Sequence, residues 1–241
     1  MRHRCAVLAL ALTVVFAACG TTGDDKADDT TTTTSAKSTT KPKTSSTTTE
    51  ASDDAQARAE EIDVSPAELP DGWSSTPHEP DEDNLVSQCS DYDVDKLAQG
   101  TYYTDDFTTG DLEQNDGQQV SVGTRVFEDE ETATNIVDVV STDDFIACVN
   151  QSVKNSLGGQ IQGDIEAHDL TTSADQTAGF SGHLVLTSGS TGETLDFWIA
   201  FVAIRTGDLV TGLSGVAIGQ DLDGQVISDL ADRIVELQGA Q

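Results

Sequence analysis

Hydrophobic and polar positions alternate along Gln118–Phe127, with Val120, Val122, Thr124 and Val126 on one side and polar residues and Gly123 on the other. That period of two predicts a half-buried strand, preceded by another at Tyr102–Thr108 and by a short helix at Val94–Gln99 that Asp91 and Asp93 can cap. The period then changes. Over Glu128–Val140, Ala133, Ile136, Val137 and Val140 share one helical face, and acidic residues crowd the first turn, where the macrodipole favours them. A second helix is predicted over Thr142–Leu157, with Phe145, Cys148, Val149 and Ser152 on one side and Gly158-Gly159 as its stop. Strands follow at Ile161–Leu170, Thr177–Thr187, Thr194–Arg205 and Leu209–Ile218, joined late by Gly- and Ser-rich turns. The last element is a helix over Asp223–Gln238, striped by Val226, Leu230, Ile234 and Leu237. Strands, two helices, four strands and a helix make an α+β fold, helices packed on an antiparallel sheet.

Pairing the Thr177–Thr187 and Thr194–Arg205 strands fixes a register. With Thr187 opposite Thr194, Leu186 meets Leu195, Leu184 meets Phe197, Gly182 meets Ile199 and Phe180 meets Phe201, which fills one face with apolar side chains. The other face then holds His183 opposite Trp198, and closing the next hairpin at Gly207 brings Thr211, Leu213, Gly215 and Ala217 alongside. A large aromatic bordered by small residues predicts either a ligand groove built from His183, Trp198, Gly215 and Ala217, or a helix for which the small residues make room.

The N-terminal quarter has no such pattern. Met1-Arg2-His3-Arg4 is cationic, and Cys5–Ala18 is apolar and uncharged. A run of that length is a signal-peptide core, shorter than the roughly 20 residues a membrane-spanning helix needs. It ends Ala17-Ala18-Cys19-Gly20, which resembles the bacterial lipobox, with Phe16 where Leu is usual. The resemblance implies cleavage after Ala18, a diacylglycerol on Cys19 and a chain tethered to the outer face of the cell membrane. Thr21 to about Glu61 is Thr, Ser, Asp, Lys and Ala, including the run Thr30–Thr34, and has almost no large apolar residue. Such a stretch cannot offset its ordering entropy, so residues 19–61 are expected to be a disordered spacer after a 1–18 signal peptide, with a short helix over Ala55–Glu61 allowed but not required, and a single domain over 62–241.

Compartment sets the cysteine chemistry. Cys5 leaves with the signal and Cys19 is acylated, so Cys89 and Cys148 remain, in surroundings that permit a disulfide. Charge sets the partners. The chain carries 43 acidic and 12 basic residues, a net charge of −31, which repels nucleic acid and anionic headgroups and leaves the lipid as the route to the membrane.

Candidate chemistry is sparse. Asp221-Leu222-Asp223-Gly224 has the look of a calcium-loop fragment, but an EF-hand aligned on Gly224 places Gly219 and Leu230 at ligand positions, so helix capping by Asp221 or Asp223 is the expectation. Ser181 lies in Gly179-Phe180-Ser181-Gly182-His183, which is not the G-x-S-x-G nucleophile turn, and Ser190 has no neighbouring histidine. His78, His168 and His183 show no metal-ligand spacing. No cofactor and no enzymatic activity are expected.

The opening Leu69-Pro70-Asp71-Gly72-Trp73, the strand and helix over Val120–Val140, Phe145-Ile146-Ala147-Cys148, and the hairpin Ala203-Ile204-Arg205-Thr206-Gly207-Asp208 ahead of a C-terminal helix together resemble actinobacterial PknH-type extracellular sensor domains and LpqN-type lipoproteins. The resemblance spans most of Leu69–Leu237. It implies a PsbP-like sandwich and a ligand-sensing or envelope-associated role. The expectation is a non-catalytic, extracytoplasmic sensor or binding module for an unidentified envelope ligand, with a lipid or a glycan as candidates. The competing expectation is an interaction lipoprotein that holds a protein partner. PknH-type sensors tend to carry two disulfides, whereas this domain can form one.

Overall fold

The computed structural model describes residues 47–79, 84–157, 160–168, 170–188 and 192–241. The expected signal peptide, Cys19 and the expected spacer up to residue 46 lie outside the described residues, as do Gly158-Gly159 and Ser190. The strands are β1 (Ser74–Thr76), β2 (Gly100–Tyr103), β3 (Asp106–Asp111), β4 (Asp116–Val126), β5 (Gln160–Gln162), β6 (Ile165–Ala167), β7 (Gln176–Thr187), β8 (Thr194–Thr206) and β9 (Leu209–Ile218). They form one nine-stranded sheet in the order β1-β3-β4-β9-β8-β7-β5, with β2 also pairing β4 and β6 also pairing β7. Every pairing is antiparallel.

Helices cover both faces. On one, α4 (Glu130–Val140) and α5 (Asp143–Leu157) pack over β7 and β8, joined by the short α2 (Leu85–Cys89), while α3 (Val94–Leu97) adds Val94 to the same core. The Asp129 carboxylate accepts the Thr132 N–H at 2.7 Å to start α4, and Ala133, Ile136, Val137 and Val140 are the buried residues of that helix. On the other face, α1 (Thr47–Glu60) and α6 (Gly224–Gln238) pack over β2, β4, β8 and β9. Asp223 caps α6 by accepting from Gln225 and Val226, and Val226, Ile227, Leu230, Ala231 and Ile234 are buried. The α+β arrangement, the closing helix and the three long strands match the sequence reading.

Three expectations are corrected. The folded unit starts inside the stretch assigned to the spacer: α1 buries Ala55 and Ala59, followed by Ile62 and Val64. Its apolar stripe is two alanines, too small to register as amphipathic, and the helix docks because β2 lets it come close. A Cβ on Gly100 would lie 2.4 Å from the Ala55 carbonyl. The Gln56 amide also accepts from the Thr101 N–H and donates to its C=O, both at 3.0 Å, so a side chain satisfies the edge of β2. The second and third corrections are of continuity. Tyr102–Thr108 turns a corner at Thr104-Asp105, so β2 and β3 pair different halves of β4. Ile161–Leu170 likewise breaks at Gly163-Asp164 into β5 and β6, which pair different parts of β7.

Cys89 and Cys148 are disulfide-bonded, with 5.5 Å between their Cα atoms. The bond ties α2 to α5 across a sequence separation of 59.

Candidate functional site

The β7–β8 register is the one the pattern predicts, including His183 opposite Trp198, and Trp198 in turn pairs with Ala217. The His183 imidazole lies flat on the Trp198 indole, centroids 4.0 Å apart and planes 7° from parallel. Its Nε2 sits 2.7 Å from Asp196 Oδ1 at the start of β8. Both rings stay partly accessible. The other two residues of the expected groove do not. Ala217 is fully buried, and a Cβ on Gly215 would lie 2.9 Å from Ile227 Cδ1 and 3.1 Å from Leu222 Cδ2. The first turns of α6 and the preceding Leu222 occupy the space, so Gly215 and Ala217 make room for a helix and line no groove. What remains there is a stacked His–Trp pair on an open surface.

A second arrangement, on the α4–α5 face, escaped the sequence reading. Along β4 and β9 the residues facing α1 and α6 are sealed: Val120, Val122 and Leu213 are at most 1 % exposed. Their neighbours facing the other way, Gln119, Ser121, Gly123, Gly212, Ser214 and Val216, keep accessible surface, as do Ile199 and Phe201 on β8. The helices on this side pack on β6, β7, β8 and β9, and Ile199, Phe201 and Val216 are half-buried against their core. Gly123 pairs with Gly212, and Ser121 with Ser214. Side chains from the two flanks lean over the glycines. A Cβ on Gly123 would meet the Tyr103 ring at 2.7 Å, and one on Gly212 would meet the Phe201 ring at 3.2 Å.

The Tyr103 flank is polar. His78 stacks on Tyr103 with 4.6 Å between centroids, and Arg125 lies 5.3 Å from the same ring and donates to its hydroxyl. Asp106 Oδ1 takes both His78 Nδ1 at 2.9 Å and the Ser121 hydroxyl at 2.5 Å. Serine, histidine and aspartate meet here in the wrong order for hydrolysis. A nucleophilic serine needs histidine between itself and the carboxylate, whereas here the carboxylate separates the two. The signal for this face was in the sequence: Ser121 and Gly123 alternate with valines, and Gly212 and Ser214 recur with the same spacing on the adjacent strand β9.

Electrostatics narrow the chemistry further. The basic residues after residue 52 are Arg58, Lys96, Arg125, Lys154, Arg205 and Arg233, and each is committed to a carboxylate. Arg58 pairs Asp208, Lys96 pairs Asp93, Arg125 pairs Asp95 and Lys154 pairs Asp164. Arg205 reaches Glu130 and Asp175, and Arg233 reaches Glu68 and Glu236. The two hydrogen bonds from Arg58 hold the Asp208 carboxyl below the usual carboxylate range and raise the guanidinium in turn. An open hollow of about 530 Å³ beside α6 is acidic, with Asp175, Asp232 and Glu236 among its lining. Among the described residues no group of three or more His, Cys, Asp or Glu side chains is placed to hold a metal ion.

No protein-family model matches the sequence, and no curated protein matches it. Among solved structures, the chain is similar to the crystal structure of LpqN, involved in cell envelope biogenesis of Mycobacterium tuberculosis, at 12% identity and a TM-score of 0.32, over 72% of this chain and 78% of that one. It is similar also to the extracellular domain of PknH from Mycobacterium tuberculosis, at 14% identity and a TM-score of 0.36, over 76% of this chain and 97% of that one.

Proposed function

We propose that the protein is an extracytoplasmic lipoprotein, anchored through Cys19, whose domain is a non-catalytic binding module for an envelope ligand. The observation that carries the binding role is the unequal covering of β4 and β9. Central strands are normally covered on both sides when helices pack on both faces of a sheet, and here one face is sealed while the other, polar in Gln119, Ser121 and Ser214, is only half-buried. The extracytoplasmic placement draws on the signal-like N-terminus and on the Cys89–Cys148 bond, which an oxidising compartment sustains. The polar order of Ser121, Asp106 and His78 favours recognition over catalysis.

A second reading, a module that holds a protein partner, is favoured by the His183–Trp198 stack. It is a partly accessible aromatic pair, the kind of anchor protein interfaces use.

The test has two arms. The full chain expressed in a bacterium that processes lipoproteins should partition with membranes, and Cys19→Ser should release it or leave it unprocessed; identical fractionation of the two would exclude the anchor. Native mass spectrometry of protein purified from its own host should reveal a retained small molecule. Copurification of a stoichiometric protein, with no small molecule, would favour the second reading.

A further inference from the structure

Resting on the reading of a module that holds a protein partner, we infer that the face of β6, β7 and β8 around His183 and Trp198 docks a cationic polypeptide segment, rich in lysine or arginine. Register defines the face. Val185 pairs with Asp196, His183 with Trp198 and Ser181 with Glu166, so these six residues share one side of the sheet. The other side of β7 is sealed, with Phe180 and Leu184 at most 3% exposed in the core beneath α4 and α5. On the near side α6 packs over β8 and β9, and β7 keeps accessible surface. The His183 side chain is 38% exposed, and Ser181, Val185 and Trp198 are half-buried.

Charge sets the chemistry of the partner. Carboxylates flank the stacked rings along the strands, Asp196 on one side and Glu166 on the other, and both residues are exposed. Asp196 meets His183 Nε2 through Oδ1 alone, and Glu166 has no ion pair among the described residues. The surrounding field has the same sign. After residue 52 the chain has 38 acidic and 6 basic residues, and all six basic side chains are held by carboxylates. A cationic segment is therefore drawn in on approach and finds carboxylates to pair with on contact, whereas a second copy of this chain meets like charge. Trp198 supplies the anchor. Its indole N–H has no acceptor among the described residues and is not buried, which suits it to a backbone carbonyl of the partner.

The experiment is a set of ¹H–¹⁵N NMR titrations of the full chain with three probes: a short peptide of alternating lysine and threonine, its counterpart with glutamate for lysine, and spermine. The lysine peptide should shift the amides of 181–185 and 196–200, and added salt should weaken its binding. Trp198→Ala should weaken that binding by roughly tenfold or more, and so should Val185→Arg, which keeps the indole and sets a like charge on the face. Asp232→Asn, in the acidic hollow beside α6, should not. Shifts spread over the acidic surface and unmoved by Trp198→Ala and Val185→Arg would reduce the effect to diffuse attraction and overturn the inference. An equal response to the glutamate peptide or to spermine would overturn it too, as would no response to millimolar lysine peptide. Deleting residues 20–46, which hold Lys37, Lys41 and Lys43, should leave the amides of the face unchanged; a change there would make the chain's own segment the occupant and overturn a separate partner. If the inference falls while a stoichiometric protein copurifies from the host, the partner reading stands and only this face or its charge class is wrong. If none copurifies, both fall.

Discussion

Gly100 is packed directly against the backbone of Ala55: a methyl group on it would lie 2.4 Å from both the carbonyl carbon and the oxygen. The contact clamps α1 to the edge of the sheet, and the Gln56 amide completes it with two hydrogen bonds to Thr101. Gly100→Ala should therefore destabilise the domain by about 1–3 kcal/mol, the usual cost of overpacking against atoms that cannot yield. Chemical denaturation measures the loss, and hydrogen exchange should show α1 amides losing protection first. A variant with wild-type stability and a protected α1 would mean that the helix is not held here.

The same contact explains where sequence reasoning stopped. α4 and α6 were legible because Ile136, Val137, Leu230 and Ile234 mark a helical stripe with large side chains. The long strands were legible because twelve-residue β7 and thirteen-residue β8 alternate or run apolar between clear turns. α1 carries its stripe in Ala55 and Ala59, and nothing local distinguishes two alanines in a polar stretch from spacer. The corners at Thr104-Asp105 and at Gly163-Asp164 were invisible for a related reason, since each is set by where a neighbouring strand runs out of partners.

The candidate site was half legible. Period-two reasoning places His183 and Trp198 together, and the structure agrees residue for residue. It cannot say what packs on a face. Gly215 and Ala217 look like the floor of a groove until Ile227 and Leu222 are placed over them, and Gly123 and Gly212 look like weak strand residues until the Tyr103 and Phe201 rings are placed over them.

Removing the disulfide should cost more than any single surface change. Cys89→Ala with Cys148→Ala reopens a segment of 59 residues, worth about 4 kcal/mol in the chain-entropy model. The melting temperature should fall accordingly. Non-reducing peptide mapping of exported protein should recover the two cysteines linked, and two free thiols there would contradict the bond.

Trp198→Ala should be mild. The indole is shielded on one side by His183 and remains partly accessible, so the loss should be about 1–2 kcal/mol, below the 3–5 kcal/mol typical of a fully buried large aromatic. In a Trp73→Phe background, acrylamide should quench Trp198 fluorescence readily, and more so when His183→Ala removes the covering ring. A large stability loss with an unquenchable indole would place Trp198 in the core.

The ion pair that fastens α1 to the β8–β9 turn should make that docking sensitive to acid. Arg58 donates to both oxygens of Asp208, at 2.9 and 2.6 Å, and the carboxyl is held below its ordinary value as a result. A depressed folded-state pKa means that the unfolded chain binds the proton more readily, so stability rises with pH between the two values. The contribution is complete above the unfolded value of about 3.9 and is lost as pH falls through the lower folded value. Both side chains are about one third exposed, so solvent screening limits the pair to about 1 kcal/mol. Asp208→Asn should show that deficit at pH 7 and converge on wild type as the solution is acidified below the folded-state value. Arg58→Met should cost a similar amount at pH 7, and the double variant should cost little more than either single one, because both remove the same interaction. Strictly additive losses, or a deficit that persists unchanged into acid, would show that the pair does not hold α1 in place.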